Sequence, residues 1–291
     1  MHPLAVELNE ALSGTIVDTM LSDIGRRIFF PKGIVAQAAE AGSQAKRFNA
    51  TVGMSTSGGQ PMHLSDIYNK FDTASFKPAD IFAYAPGGGD PRLRAMWKEE
   101  MVKKNPSLVG KRFSLPIVTA GLTHGLSIIA MLFFQPGDTL VVPDLAWDNY
   151  ELIYVHQQGG EMVSFPLYTE AGAFNVEAMM ATLRAIPSKR ARLLLNFPNN
   201  PTGYTPTKGD AQAIVDALVT LADEGMELLV ISDDAYFGLF FEEETAKESL
   251  FSALCDAHKN ILAVKCDGAT KEELVWGFRI GFVTYGSKEL T

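Results

Sequence analysis

From residue 116 onward, short apolar runs alternate with segments of helical length and period. PIVTA, DTLVVPD, EMVSFPL, RLLLNF, MELLVISDD, NILAVKCDG and FRIGFVTYG read as strands. Between them THGLSIIAMLFF, WDNYELIYVHQQ, NVEAMMATLRAI and the stretch from Lys208 to Glu224 read as helices. Strands that are apolar without alternation are buried on both faces, and connections of helical length join neighbours that run parallel. The pattern therefore predicts an α/β fold: a mostly parallel seven-stranded sheet between layers of helix.

Upstream the order differs. Residues 1–45 carry apolar positions at helical spacing and predict an N-terminal helical segment. FNATVGMSTSGGQP (48–61) predicts a strand running into a Gly/Ser loop, and DPRLRAMWKEEMVKK (90–104) a helix with Asp90 as N-cap and Pro91 in the first turn. Residues 1–60 are expected to form an arm and part of a smaller domain, and residues 61–291 the main domain.

Composition narrows the function classes. A net charge of -9 and a pI of about 5.1 argue against a nucleic-acid surface. Cys255 and Cys266 do not make a disulfide framework, so a reducing compartment is expected. The N-terminus lacks the basic and apolar regions of a signal peptide, and runs such as LSIIAMLFF are too short to span a bilayer. These features predict a cytoplasmic protein with no membrane partner.

In open parallel sheets ligands bind beyond the carboxyl ends of the strands. Those positions hold AGLTHG, PDLAWDNY, NFPNNPTG, SDDAYFG and DGATK, a concentration of small, polar and aromatic residues on one rim. Two asparagines, two prolines and a glycine in NFPNNPTG are first of all turn chemistry. The Asn200–Pro201 bond there is a candidate for the cis form, because X–Pro bonds carry little trans preference.

Taken in order and spacing, NFPNNPTG, D-x-x-Y in SDDAY and K-x5-G-x-R at residues 271–279 resemble the fold-type I, class I/II aminotransferases, which use pyridoxal 5'-phosphate (PLP). The resemblance runs from about residue 50 to the end. It implies that the sheet is the PLP-binding large domain, that Lys271 is the Schiff-base lysine, and that Asp233 holds the cofactor's ring nitrogen protonated. Asp233 is preferred to Asp234 because it lies three before Tyr236, and successive strand residues face opposite ways. Asn200 and Tyr236 match the family's donors to the ring oxygen. Gly121, Leu122 and Thr123 begin the helix after the first strand and are suited to the phosphate, as is the forked donor Arg279. An arginine inside FRIGFV, read as a strand, is costly unless it has such a task. Trp147 matches the aromatic laid against the ring, Gly53 a glycine beside the substrate carboxylate, and Tyr84 the tyrosine that reaches a neighbouring subunit's phosphate, which implies a homodimer. Asn200 and Trp147 also face the substrate in this reading.

Two departures stand out. Where relatives often carry a serine three before the lysine, this chain has Gly268, which leaves Thr270 as the replacement. The sequence also stops at Thr291, so the C-terminal small domain and its carboxylate-binding arginine are expected to be missing; Arg92, Arg94 and Arg112 occupy no family position for that role. The expected activity is transamination between an amino acid and a 2-oxo acid. A carbon–sulfur lyase or decarboxylase on the same fold, and a PLP-binding domain without catalysis, are the alternatives.

Overall fold

Four helices lead the computed structural model, which describes residues 1–29, 34–49, 51 and 53–289. They are α1 (Pro3–Leu12), α2 (Ile16–Met20), α3 (Asp23–Arg27) and α4 (Ile34–Gln44). The first three start on side-chain acceptors, His2 Nδ1, Thr15 Oγ1 and Ser22 Oγ, which take backbone N–H groups that the first turn leaves free.

The strand expected from Phe48 is not formed among the described residues; Ala50 and Val52 lie outside them. Instead Thr56–Ser57 (β1) and Gln60–Pro61 (β2) make a small hairpin. Its loop is Gly58-Gly59, with φ of 58° and 75°. Both positions are left-handed, as the tight mirror-image hairpin turn demands, and glycine meets that demand without strain. Short helices α5 (Ser65–Tyr68) and α6 (Pro78–Phe82) follow, and then α7 (Pro91–Lys104), where Asp90 Oδ1 accepts from the N–H groups of Arg92 and Leu93.

The main sheet has seven strands: β3 (Ile117–Thr119), β4 (Thr139–Pro143), β5 (Glu161–Phe165), β6 (Arg190–Asn196), β7 (Glu227–Asp233), β8 (Ile261–Asp267) and β9 (Gly281–Gly286). Their order is β3-β9-β8-β7-β6-β4-β5. From β8 to β5 every pairing is parallel, while β9 runs antiparallel to both β8 and β3. The mostly parallel α/β sheet read from the sequence is the observed fold.

The strand period of two sorts the core onto two faces. Leu193 and Leu195 of β6, Val230 of β7 and Ala263 of β8 face one side, packed with α9 (Val176–Ala185), α10 (Lys208–Asp223) and α11 (Leu250–Leu254). Leu194, Ile231, Val264 and Cys266 face the other, with α8 (Leu122–Phe133) and a π-helical segment, Glu151–Gln157. The sequence predicts an ordinary helix over that segment and nothing at α11.

Arg279 does not lie within a strand. It follows the 3-10 turn Trp276–Phe278 in a left-handed conformation, φ 52° and ψ 47°, and β9 begins only at Gly281. Gly281, the first residue of β9, passes against the start of α8. A Cβ there would fall 2.7 Å from Gly121 C and 2.9 Å from Leu122 N. Among the described residues no helix is long and apolar enough to cross a membrane.

Candidate active site

At the carboxyl rim of the sheet, a cleft of about 230 Å³ opens on the α8 side. It is lined by Leu122, Thr123 and Leu126 of α8, by Trp147 and Tyr150, by Asn196 and Asn200, by Asp233, Ala235 and Tyr236, and by Thr270, Lys271 and Arg279. Every element contributing to it ends or begins at this rim, so sheet topology rather than local sequence gathers these residues.

Asp233 is the last residue of β7 and has the parity of Leu229 and Ile231, which turns its side chain to the α8 face. It is 3% exposed. Tyr150 Oη donates to Asp233 Oδ2 at 2.6 Å, and the Ala235 N–H donates to Oδ1 at 3.1 Å. Burial pushes the Asp233 carboxyl up to about 6, against the pull of these two hydrogen bonds. Burial and the same carboxylate raise the Tyr150 hydroxyl well above its ordinary value. Asp234, one residue on, turns the other way and bonds to Lys265 and Ser249.

Lys271 reaches the cleft from the loop after β8. Its Nζ lies 5.2 Å from the centre of the Tyr236 ring. Burial first, and the Arg279 charge second, lower its pKa, so more of the amine is free base near neutrality than in a solvated lysine. Burial and Asp233 raise the Tyr236 hydroxyl, which keeps it a donor.

On β6, Asn196 has the same parity as Leu194 and so faces the cleft. Its Nδ2 donates to the Asp233 carbonyl at 2.7 Å, and its Oδ1 accepts from the Asn200 N–H at 2.7 Å. One side chain thus ties the NFPNNPTG turn to the strand carrying Asp233. Within that turn the Phe197–Pro198 and Asn200–Pro201 bonds are both cis.

The opposite end of the cleft suits an anion. Gly121 caps α8 at φ 87°. A Cβ on it would lie 3.0 Å from Arg279 Nη2, so the guanidinium packs directly on the helix start. Free N–H groups of the first turn, the helix dipole and a forked cation converge there. At Gly268 a Cβ would meet Ile280 O at 2.9 Å and Leu122 Cδ1 at 3.1 Å, so no side chain fits. The buried Thr270 hydroxyl, 3.5 Å from Ile280 O, is the one at hand.

Gly53 and Tyr84 do not line the cleft. Both are exposed, Tyr84 fully, and residues 55–87 lie on the surface apart from Ile67. Sequence reasoning missed Tyr150 and Asn196. Tyr150 stands one helical turn beyond Trp147, and the two rings meet edge to face at 5.6 Å; Asn196 ends its strand in the most distinctive motif of the chain.

A buried carboxylate, a lysine of lowered basicity, aromatic walls and an anion cradle in one cleft fit a phosphorylated, ring-bearing carbonyl compound. The profile of the family described as Aminotransferase class I and II matches residues 78–291. Similar proteins include the aspartate/prephenate aminotransferase of Thermus thermophilus, 32% identical over 207 residues, or 71% of this chain and 49% of that one. A probable aspartate/prephenate aminotransferase of Aquifex aeolicus is 30% identical over 221 residues, 73% of this chain and 53% of that one. Among solved structures, an aminotransferase from Anaerococcus prevotii shares the fold with a TM-score of 0.79 at 22% identity, covering 93% of this chain and 67% of that one. The chain spans about half the length of the curated relatives it matches.

Proposed function

Because the chain belongs to the class I and II aminotransferases, whose members use PLP, we propose that it transfers amino groups between an amino acid and a 2-oxo acid with PLP in the Asp233–Lys271 cleft. The observation that carries this reading is the approach of a buried carboxylate and a lysine of lowered basicity to one cleft from the ends of adjacent strands. Bound there, the cofactor supplies an electron sink for charge developing at the substrate's α-carbon.

The chain's own residues divide the remaining work. Asp233 would hold the cofactor's ring nitrogen protonated through a charge-assisted hydrogen bond, and Tyr150 keeps that carboxylate aimed. Lys271, whose basicity is lowered, would hold the cofactor's carbonyl end and would supply the amine that moves a proton at the substrate's α-carbon. Asn200 and Tyr236 would donate to the ring oxygen, and Trp147 would supply an aromatic wall for the ring. Arg279, the N–H groups from Gly121 to Thr123, and the hydroxyls of Thr123 and Thr270 would hold the phosphate. Gly53 and Tyr84 join the site only when two chains pair, with the exposed arm of residues 55–87 lying on a second copy. Sedimentation at micromolar concentration should then report a dimer; a fully active monomer would contradict this part.

The test of the main reading starts with the purified chain and PLP. Visible absorbance should develop, and borohydride should fix one cofactor mass on the peptide bearing Lys271. With an amino donor, a 2-oxo acid should be converted in equal amount to the amino acid; loss of carbon dioxide or sulfide instead would point to a decarboxylase or lyase. Lys271→Ala should lose both the absorbance fixed by borohydride and the conversion. A variant that keeps them would falsify the assignment.

A further inference from the structure

Lys271 sits in a tightly closed turn. The N–H groups of Glu273, Leu274 and Val275 donate to the carbonyls of Ala269, Lys271 and Thr270, at 3.0, 3.3 and 3.1 Å. Leu274 is held at φ 55°, a left-handed conformation that a residue with a side chain adopts at a cost. Such a backbone persists where surrounding contacts impose it.

Glu272 makes those contacts. Lys271 lines the cleft, while Glu272, the next residue, turns to the α7 side beside Trp97 and Lys104. Lys104, the last residue of α7, donates from Nζ to Glu272 Oε2 at 2.7 Å. The other carboxylate oxygen rests on Gly238, two residues beyond Tyr236. A Cβ on Gly238 would fall 2.2 Å from Glu272 Oε1 and 2.4 Å from its Cδ, so the carboxylate fills the space that a side chain at 238 would need. On the cleft side Lys271 Nζ lies 5.2 Å from the centre of the Tyr236 ring. Two adjacent residues of one turn thus meet two near neighbours of another, Lys271 on Tyr236 and Glu272 on Gly238.

Stability is a poor account of the Lys104–Glu272 pair. The two side chains are 24% and 25% exposed, and ion pairs open to water contribute little. Lys104 also has Glu100 Oε1 at 3.5 Å and Glu273 Oε1 at 3.8 Å, so its charge does not depend on Glu272. The fit against Gly238 fixes a position instead.

We propose that Glu272 is a positioning residue: held by Lys104 and seated on Gly238, it fixes the Lys271 turn against the Tyr236 turn and so sets where the Lys271 amine stands in the cleft. Its bearing on catalysis rests on the role given to Lys271 above.

The experiment reads that geometry directly, by proton cross-relaxation between the Lys271 ε-methylene and the Tyr236 ring. The cofactor-free chain is carbon-labelled at lysine, and the signal is assigned with Lys271→Arg. Wild type should show the contact, and Glu272→Ala and Gly238→Ala should lose it. In the same two variants PLP should become fixed to Lys271 by borohydride about tenfold more slowly or worse, since a misplacement of about 1 Å can cost on the order of a hundredfold. Glu272→Gln still accepts from Lys104 and keeps the shape, so it should retain both the contact and the rate. Glu273→Ala should change neither. A contact that survives in Glu272→Ala overturns the proposal, whatever the rate. If Gly238→Ala does not fold, Glu272→Ala alone decides, because Lys104 keeps Glu100 and no charge is stranded. A wild-type chain that takes up no PLP would sink the functional reading, while the cross-relaxation still judges Glu272.

Discussion

The hydroxyl of Tyr150 donates to Asp233 Oδ2 at 2.6 Å, between two groups that are both buried. A hydrogen bond to the charged form of a buried acid is what keeps that acid ionised against desolvation. Tyr150→Phe removes the donor and adds nothing in its place. The Asp233 midpoint in the cofactor-free chain should rise by roughly one to two pH units, and affinity for PLP at neutral pH should drop. Carbon NMR titration and equilibrium dialysis measure the two effects; an unchanged midpoint means the hydrogen bond is idle.

Asp233 also makes the stability of the cofactor-free chain depend on pH in an unusual direction. Its folded-state value of about 6 lies above the ordinary 3.8, chiefly through burial. Between those values the folded chain holds a proton that the unfolded chain has released, so its contribution falls as pH rises through that window and is lost above it. The loss amounts to about 3 kcal/mol at most. Denaturant melts from pH 4 to pH 7 should show it, and Asp233→Asn should flatten the profile. A wild-type profile that climbs steadily across this range would count against a buried, perturbed Asp233.

Asn196 is expected to matter for binding and for folding. Its two hydrogen bonds, to the Asp233 carbonyl and from the Asn200 N–H, are both 2.7 Å long, the first buried and the second partly buried. Asn196→Ala strands both partners and should cost about 1–3 kcal/mol of stability. PLP affinity should fall with it, because Asn200 loses its aim. Calorimetry and a spectroscopic binding titration would show whether the two losses occur together; full affinity at reduced stability would confine Asn196 to folding.

Close backbone contact makes a sharp prediction at Gly281. Its absent Cβ would lie within 3 Å of Gly121 C, Leu122 N and Thr119 Oγ1, mostly backbone that cannot step aside. Gly281→Ala should cost about 1–3 kcal/mol through overpacking and weaken phosphate binding by shifting the start of α8 against Arg279. Gly277→Ala meets nothing within 4 Å and serves as the neutral control, within about 0.5 kcal/mol of wild type. Equal melting temperatures for the two variants would refute the argument.

Much of this was already in the amino-acid order. Runs such as RLLLNF and MELLVISD are apolar without alternation, and only a sheet covered on both faces buries them, so the α/β class and the functional rim followed from local physics. Parity along β7 separates Asp233 from Asp234 for the same reason: adjacent side chains on a strand must face opposite ways. Long-range contacts were another matter. The Tyr150–Asp233 bond joins residues 83 positions apart, and Lys265 with Asp234 spans 31. Neither follows from spacing, because strand register and the placement of the π-helical turn decide which side chains meet. Arg279 reads as a strand residue from its apolar neighbours, yet it lies in a left-handed turn beside Gly121, just before Gly281 packs against the start of α8. Local periodicity determined which elements form, while steric exclusion and burial between distant segments decided which charges share a cleft and which are sealed behind it.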